Sequence, residues 1–147
     1  MGTKKIAILC GGGSSEHDIS LISAKFIHQQ LQQYCQYDLQ IYELENRNSI
    51  RNLPLDQIDF VIPAIHGRPG ETGEIAAFLD LHGIPYLGCR SEASQLSFNK
   101  VSTKLWLDAL GIPNTPYTFL TDPFQQRQAK EFFANHHDVF VKAATQG

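Results

Sequence analysis

The sequence holds one Trp and one Met among 147 residues, and its three cysteines form no close pair. Cys10, Cys35 and Cys89 are odd in number and far apart, which excludes a disulfide framework and a CxxC redox or zinc motif. Charge of either sign is also scarce. Lys plus Arg is 12 and Asp plus Glu is 15, so the net charge is only −3. The basic residues are scattered, with Lys4-Lys5 the densest cluster, so a phosphate-tracking groove for nucleic acid is not expected. No apolar run approaches the roughly 18 residues a membrane span needs. The opening run Ile6–Cys10 is too short for a signal core and ends in glycines. Met1-Gly2 does not continue as a myristoylation signal, because position 6 is Ile6 rather than Ser or Thr. A cytoplasmic globular protein is expected.

The pattern that remains alternates strands with helices. Ile6–Cys10 is a short apolar run ending in Gly11-Gly12-Gly13, which predicts a buried parallel strand with a glycine turn at its carboxyl end. Ser14-Ser15 offers N-cap hydroxyls for a helix whose apolar positions are Ile19, Ile22, Phe26, Ile27 and Leu31. Tyr37–Leu44 predicts a second strand, 46–54 an irregular polar stretch, and Phe60–Pro63 a third strand. A helix carrying Ile75, Phe78, Leu79 and His82 is closed by Gly83, and Ile84–Gly88 predicts a fourth strand. This order implies right-handed crossovers, a parallel sheet and a ligand site at the carboxyl ends of the strands. Residues 1–92 therefore read as one small α/β domain. Beyond it, helices over 91–98 and 101–110 are expected. A strand follows over Tyr117–Leu120, a helix from Asp122-Pro123 through Phe124, Ala129, Phe132 and Phe133, and a strand over Asp138–Lys142.

Two glycine loops fall at the strand ends. Gly11-Gly12-Gly13-Ser14-Ser15-Glu16 occupies a nucleotide-loop position, but Glu16 stands at the third glycine of G-x-G-x-x-G and no Walker lysine follows. Glu16 is either a first-turn acid favoured by the helix macrodipole or a carboxylate aimed at a ligand ammonium. His66-Gly67-Arg68-Pro69-Gly70-Glu71-Thr72-Gly73 is either a polar surface loop with Thr72 as N-cap or a tight ligand loop presenting His66, Arg68 and Glu71. Lys100 and Lys142 are either solvated or placed to meet phosphate as point charges. His136-His137 reads as a solvated helix end, and no Cys or His shows metal-ligand spacing.

Taken in order, these two loops, Gly83–Gly88, Asn99-Lys100 and Phe140-Val141-Lys142 resemble the amino-terminal part of a D-alanine–D-alanine ligase of the ATP-grasp superfamily. The resemblance implies a Rossmann-like pre-ATP-grasp domain over 1–92 and the beginning of an ATP-grasp nucleotide domain over 93–147. It implies that ATP phosphorylates one D-alanine, and that the amine of a second attacks the acyl phosphate to make the dipeptide for peptidoglycan. Carried over, Glu16 holds the ammonium of the first D-alanine, His66 lies near its carboxylate, and Ser15, Gly67 and Glu71 complete the substrate loops. Lys100 and Lys142 neutralise ATP phosphates. Mg2+ is expected on ligands beyond residue 147, with none in this chain, and a homodimer is possible by the same resemblance. Thr72, Ala76, Asn99 and Ala143 depart from the family's usual residues. Because family members continue further, the chain alone is expected to be an inactive amino-terminal fragment. The alternatives are a ligase taking D-lactate or D-serine second, or a non-catalytic module that binds a small ligand.

Overall fold

The computed structural model describes residues 3–122 and 125–146. Met1, Gly2, Pro123, Phe124 and Gly147, each part of an expectation above, lie outside the described residues. The chain divides into two compact units that meet between Phe98 and Asn99. Helix α3 thus goes with the first unit, six residues past the expected boundary at 92, because it packs on α2.

In the first unit, β1 (Lys5–Gly11), β2 (Asp38–Leu44) and β3 (Phe60–Pro63) form a parallel sheet in the order β2-β1-β3. The register runs from Lys5 opposite Asp38 to Gly11 opposite Leu44, and from Ile6 opposite Phe60 to Leu9 opposite Pro63. Strand β1 is central and apolar on both faces, as a covered parallel strand must be. Ala7 and Leu9 join Val61, Ile75 and Leu79 on one side. Ile8 and Cys10 join Ala24 and Ala64 on the other. At the start of the sheet the Asp59 carboxylate takes the Lys5 backbone N–H at 2.9 Å and the Lys4 ammonium at 2.5 Å, which together hold it below the usual Asp range.

Helix α1 (His17–Tyr34) crosses between β1 and β2, but turns a different face inward from the one expected. Ser20 and Ala24 are its buried residues, with Leu21 and Ile27 packed beside them, while Ile19, Ile22 and Phe26 are more than half exposed. Small residues let the helix backbone approach the sheet closely, and side-chain size rather than hydrophobicity decides that row. The stretch after β2 is not irregular. It forms two 3₁₀ turns, Arg47–Asn52 and Leu55–Gln57. The first is closed by a reciprocal cap in which Asn46 accepts from the Asn48 N–H at 2.9 Å and Ser49 Oγ accepts from the Asn46 N–H at 3.3 Å. That winding delivers Ile50, Leu53 and Ile58 to the core.

Helix α2 (Glu74–Leu81) covers the Ala7–Leu9 face through Ile75 and Leu79. The expected fourth strand at 84–88 reduces to one parallel bridge between Val61 and Tyr86. Its two bonds run from the Val61 N–H to the Pro85 carbonyl at 3.0 Å and from the Leu87 N–H to the Val61 carbonyl at 2.9 Å. Pro85 brings no N–H to extend the ladder. Helix α3 (Ser91–Phe98) follows.

The second unit holds α4 (Lys100–Ala109) and α5 (Gln126–Asn135). Asn99 caps α4, its side chain accepting from the Val101 and Ser102 N–H groups at 3.1 and 3.2 Å. Neither 117–120 nor 138–142 is a strand, contrary to their alternation. A strand exists only when a neighbour takes its backbone groups, and none does among the described residues. Phe140 and Val141 stay exposed. No helix of the described residues is long and apolar enough to cross a membrane.

The three cysteines separate by environment. Cys10 is fully buried in β1, and burial together with the Glu43 charge pushes its thiol up to about 11. Cys89 is exposed. A thiol reagent on the native chain is therefore expected to label Cys89 first and to reach Cys10 only after unfolding. Mass spectrometry of the labelled peptides checks this order, and early labelling of Cys10 would contradict the packing of β1.

Candidate functional site

The carboxyl ends of β1 and β3 are tied together before any ligand chemistry begins. Ser20 is fully buried, and its hydroxyl accepts from the Gly11 N–H at 2.8 Å and donates to the Ala64 carbonyl at 2.8 Å. The Gly12 N–H donates to the Leu44 carbonyl at 2.6 Å. Two loops of different strands are thereby held at a set spacing.

Ser14 joins the loops a second time. Its hydroxyl donates to the His66 carbonyl at 3.1 Å and accepts from the Glu16 N–H at 3.2 Å. This use replaces the expected capping role, for Glu16 is itself the N-cap of α1 and no side chain bonds there. Ser15 is exposed in the turn before the helix. The Glu16 carboxylate rests against Gly67. A Cβ on that glycine would lie 3.1 Å from Glu16 Oε2 and 3.8 Å from Ser14 Oγ, and the backbone there has φ +66°. Glycine is favoured there, because a larger residue would carry the strain of that conformation and push the Glu16 carboxylate aside by a few tenths of an ångström.

His66 stands at the centre of the second loop. Its Nε2 is 2.9 Å from Ser23 Oγ, and its Nδ1 is 3.9 Å from Glu71 Oε1. The second distance is too long for a hydrogen bond. Glu71 is placed by its own backbone, whose N–H donates to the Gly67 carbonyl at 2.7 Å. Arg68 faces Glu74 at 3.6 Å instead of the cleft. Thr72 is not the N-cap of α2. It is buried with its hydroxyl donating to the Pro69 carbonyl at 3.3 Å, and Gly73 takes the N-cap position at φ +78°.

An open cleft of about 520 Å³ lies beside this loop. His66, Glu71, Ala76, Tyr86–Cys89, Ser94 and Ser97 are among the residues that line it. Sequence reasoning missed Ser14, Ser20 and Ser23. Nothing in the sequence sets them apart from the other polar residues nearby, such as Gln29 and Gln30 of α1.

Lys100 and Lys142 belong to the second unit. The Lys100 backbone N–H donates to the Ala144 carbonyl at 2.9 Å, and its ammonium donates to the Gln146 carbonyl. The first phosphate candidate thus meets the segment that follows the second, while Lys142 is exposed. Asn99 performs the cap that Asp performs equally well, so this departure leaves the start of α4 intact. His136 packs its ring on Phe132, with centroids 4.4 Å apart. No group of three or more His, Cys, Asp or Glu stands together among the described residues.

Residues 40–89, from β2 through the His66 loop and α2, match the family model described as D-ala D-ala ligase N-terminus. A curated D-alanine–D-alanine ligase of Vibrio campbellii is 48% identical over 98% of this chain and 50% of its own length. The crystal structure of D-alanyl-alanine synthetase A from Vibrio cholerae superposes with a TM-score of 0.84 at 46% identity, covering 100% of this chain and 50% of that one. The chain is similar throughout to the amino-terminal half of the D-alanine–D-alanine ligases. It spans about half the length of the curated relatives it matches. A more distant member, the Bacillus anthracis ligase complexed with ATP, has a TM-score of 0.74 at 26% identity over 88% of this chain and 43% of its own. The α/β expectation and the family resemblance are therefore borne out by the parallel sheet and by these relatives.

Proposed function

We propose that this chain forms the first-substrate side of an ATP-dependent ligase that joins two D-alanines. The observation that carries the reading is the approach of the Glu16 carboxylate to Gly67, beside His66, across loops from two strands. A carboxylate held at that spot is a partner for an ammonium, and the adjacent imidazole is a partner for the carboxylate of the same amino acid. An α-amino acid thus finds both its charged groups answered within one corner. Glu16 holds the ammonium, His66 orients the carboxylate that ATP is to phosphorylate, and Glu71 supports His66. Ser15 and Gly67 form the walls.

Lys100 and Lys142, in the ATP-grasp portion beginning near 93, neutralise ATP phosphates. Phosphoryl transfer relies mainly on positioning and charge, so two fixed ammonium groups suit the task. The described residues offer no cluster of three or more His, Cys, Asp or Glu for Mg2+. Its ligands, the residues that select D-alanine over D-lactate or D-serine as second substrate, and a homodimer contact are assigned to the remainder of the family fold. A cytoplasmic place in peptidoglycan precursor synthesis follows from the two substrates.

The test is ADP release and dipeptide formation with ATP, Mg2+ and D-alanine, on a protein that carries this chain within the whole family fold. Release that requires D-alanine and yields D-alanyl-D-alanine is expected, while the 147-residue chain alone makes no dipeptide. ATP turnover only with a different amino or hydroxy acid would replace the substrate assignment. Dipeptide from the isolated chain would overturn the division of labour.

A further inference from the structure

Ser23 lies near the middle of α1, one turn after Ile19, and its hydroxyl makes two contacts at once. Oγ is 3.0 Å from the Ile19 carbonyl oxygen and 2.9 Å from Nε2 of His66. A serine hydroxyl carries one hydrogen and two lone pairs. The Ile19 carbonyl can only accept, so the hydroxyl hydrogen goes there, the usual back-bond of a helical serine to the preceding turn. Only a lone pair is then left for His66. Both bonds form together when Nε2 carries a hydrogen. With the opposite assignment, two oxygens face each other at 3.0 Å with no hydrogen between them.

The other side of the ring does not oppose this choice. Glu71 Oε1 is 3.9 Å from Nδ1, beyond hydrogen-bond length, so it claims no hydrogen from Nδ1. Its charge still faces that atom. We propose that Ser23 is a positioning residue for His66, committing the hydrogen of the neutral imidazole to Nε2, so that Nδ1 is the ring atom that takes up the second hydrogen when a carboxylate is to be met on the Glu71 side of the ring. The order serine, histidine, carboxylate is that of a nucleophilic triad, but the arrangement is not one. In a triad the carboxylate takes Nδ1–H and Nε2 accepts the serine hydrogen. Here that hydrogen is held by a helix carbonyl, and the carboxylate stands off. Ser23 positions His66 and does not attack.

The proposal deepens the ligase reading. It rests on that reading for the identity of the bound molecule, but not for the tautomer. The experiment therefore uses no substrate. Two-bond 15N–1H correlation spectra of the labelled 147-residue chain, with His66→Gln to assign the ring, report which nitrogen carries the hydrogen in the neutral form. The expected result is a single Nε2–H pattern in the wild type, kept in Ser23→Thr and lost to a mixture of tautomers in Ser23→Ala. Far-UV circular dichroism of the variants checks that α1 persists. An Nδ1–H pattern in the wild type, or a Ser23→Ala spectrum identical to wild type, would overturn the assignment. If Ser23→Ala fails to fold, the wild-type and Ser23→Thr spectra still decide it. Failure of D-alanine turnover in the larger protein would count against the ligase reading while leaving these spectra unchanged.

Discussion

Gly73→Ala is expected to destabilise the first unit by about 3–4 kcal/mol, and Gly83→Ala by only about 1 kcal/mol. Both glycines flank α2, and both have left-handed backbones, with φ +78° and +67°. An L-residue in that conformation costs roughly 1–2 kcal/mol at either site. The surroundings differ. A Cβ at Gly73 would lie 2.4 Å from the Ser91 carbonyl oxygen and 2.9 Å from its Cα, all backbone at the start of α3. Nothing lies within 4 Å of a Cβ at Gly83. Backbone atoms cannot rotate away, so α3 must move from α2, adding the 1–3 kcal/mol typical of overpacking. The measurement is hydrogen exchange of the β1 amides in native conditions, which follows the first unit without interference from the second. Equal losses in the two variants would remove the contact with Ser91 as a cause. Since Ala76 of α2 and Ser94 of α3 both border the cleft, Gly73→Ala is also expected to loosen its lining.

Local pattern was a good guide wherever an element's environment is set by its immediate neighbours. The runs 6–10 and 60–63 became strands because they are apolar enough to be covered on a parallel sheet, 37–44 became an edge strand beside β1 with its polar residues left largely open, and 91–98 became α3 as expected. Pattern failed where a distant partner decides. The stretches 84–88, 117–120 and 138–142 alternate like strands, yet a ladder needs a second chain segment in register, and sequence does not reveal whether one is present. Helix α1 failed for another reason. Counting apolar residues selected Ile19, Ile22, Phe26, Ile27 and Leu31, of which Ile27 does pack on the core, whereas close approach to the sheet buried Ser20 and Ala24 and left Ile19, Ile22 and Phe26 outside. In the candidate site, Glu16, His66 and Glu71 stand out in the sequence because ionisable residues among glycines are unusual. Ser14 and Ser23 do not, since a serine's role depends on which backbone or ring it meets across the fold.

Glu16→Gln is expected to weaken D-alanine binding by about 10–100-fold while leaving stability nearly unchanged. Glutamine keeps the size and one acceptor oxygen of the side chain but removes the charge that an ammonium answers. A hydrogen bond to a charged partner contributes about 1.5–3 kcal/mol, which is that span of affinity. The rival account of Glu16, a first-turn acid serving the helix macrodipole, makes the opposite forecast. It predicts a stability loss of about 0.3–1 kcal/mol and no change in binding. The Glu16 side chain makes no capping bond to α1 and its Oε2 lies toward Gly67 of the other loop, which favours the ligand role, but its place at the N-cap keeps the macrodipole account open to the same test. Titration of D-alanine against wild type and variant, with urea unfolding alongside, measures both quantities on one protein. Glu71→Gln serves as the comparison. Its carboxylate stands 3.9 Å from His66 and is assigned to support that ring rather than to hold the ammonium, so a smaller loss is expected there. If Glu71→Gln weakens binding more than Glu16→Gln, the ammonium belongs on the Glu71 side, and the first D-alanine must be turned end for end in the cleft.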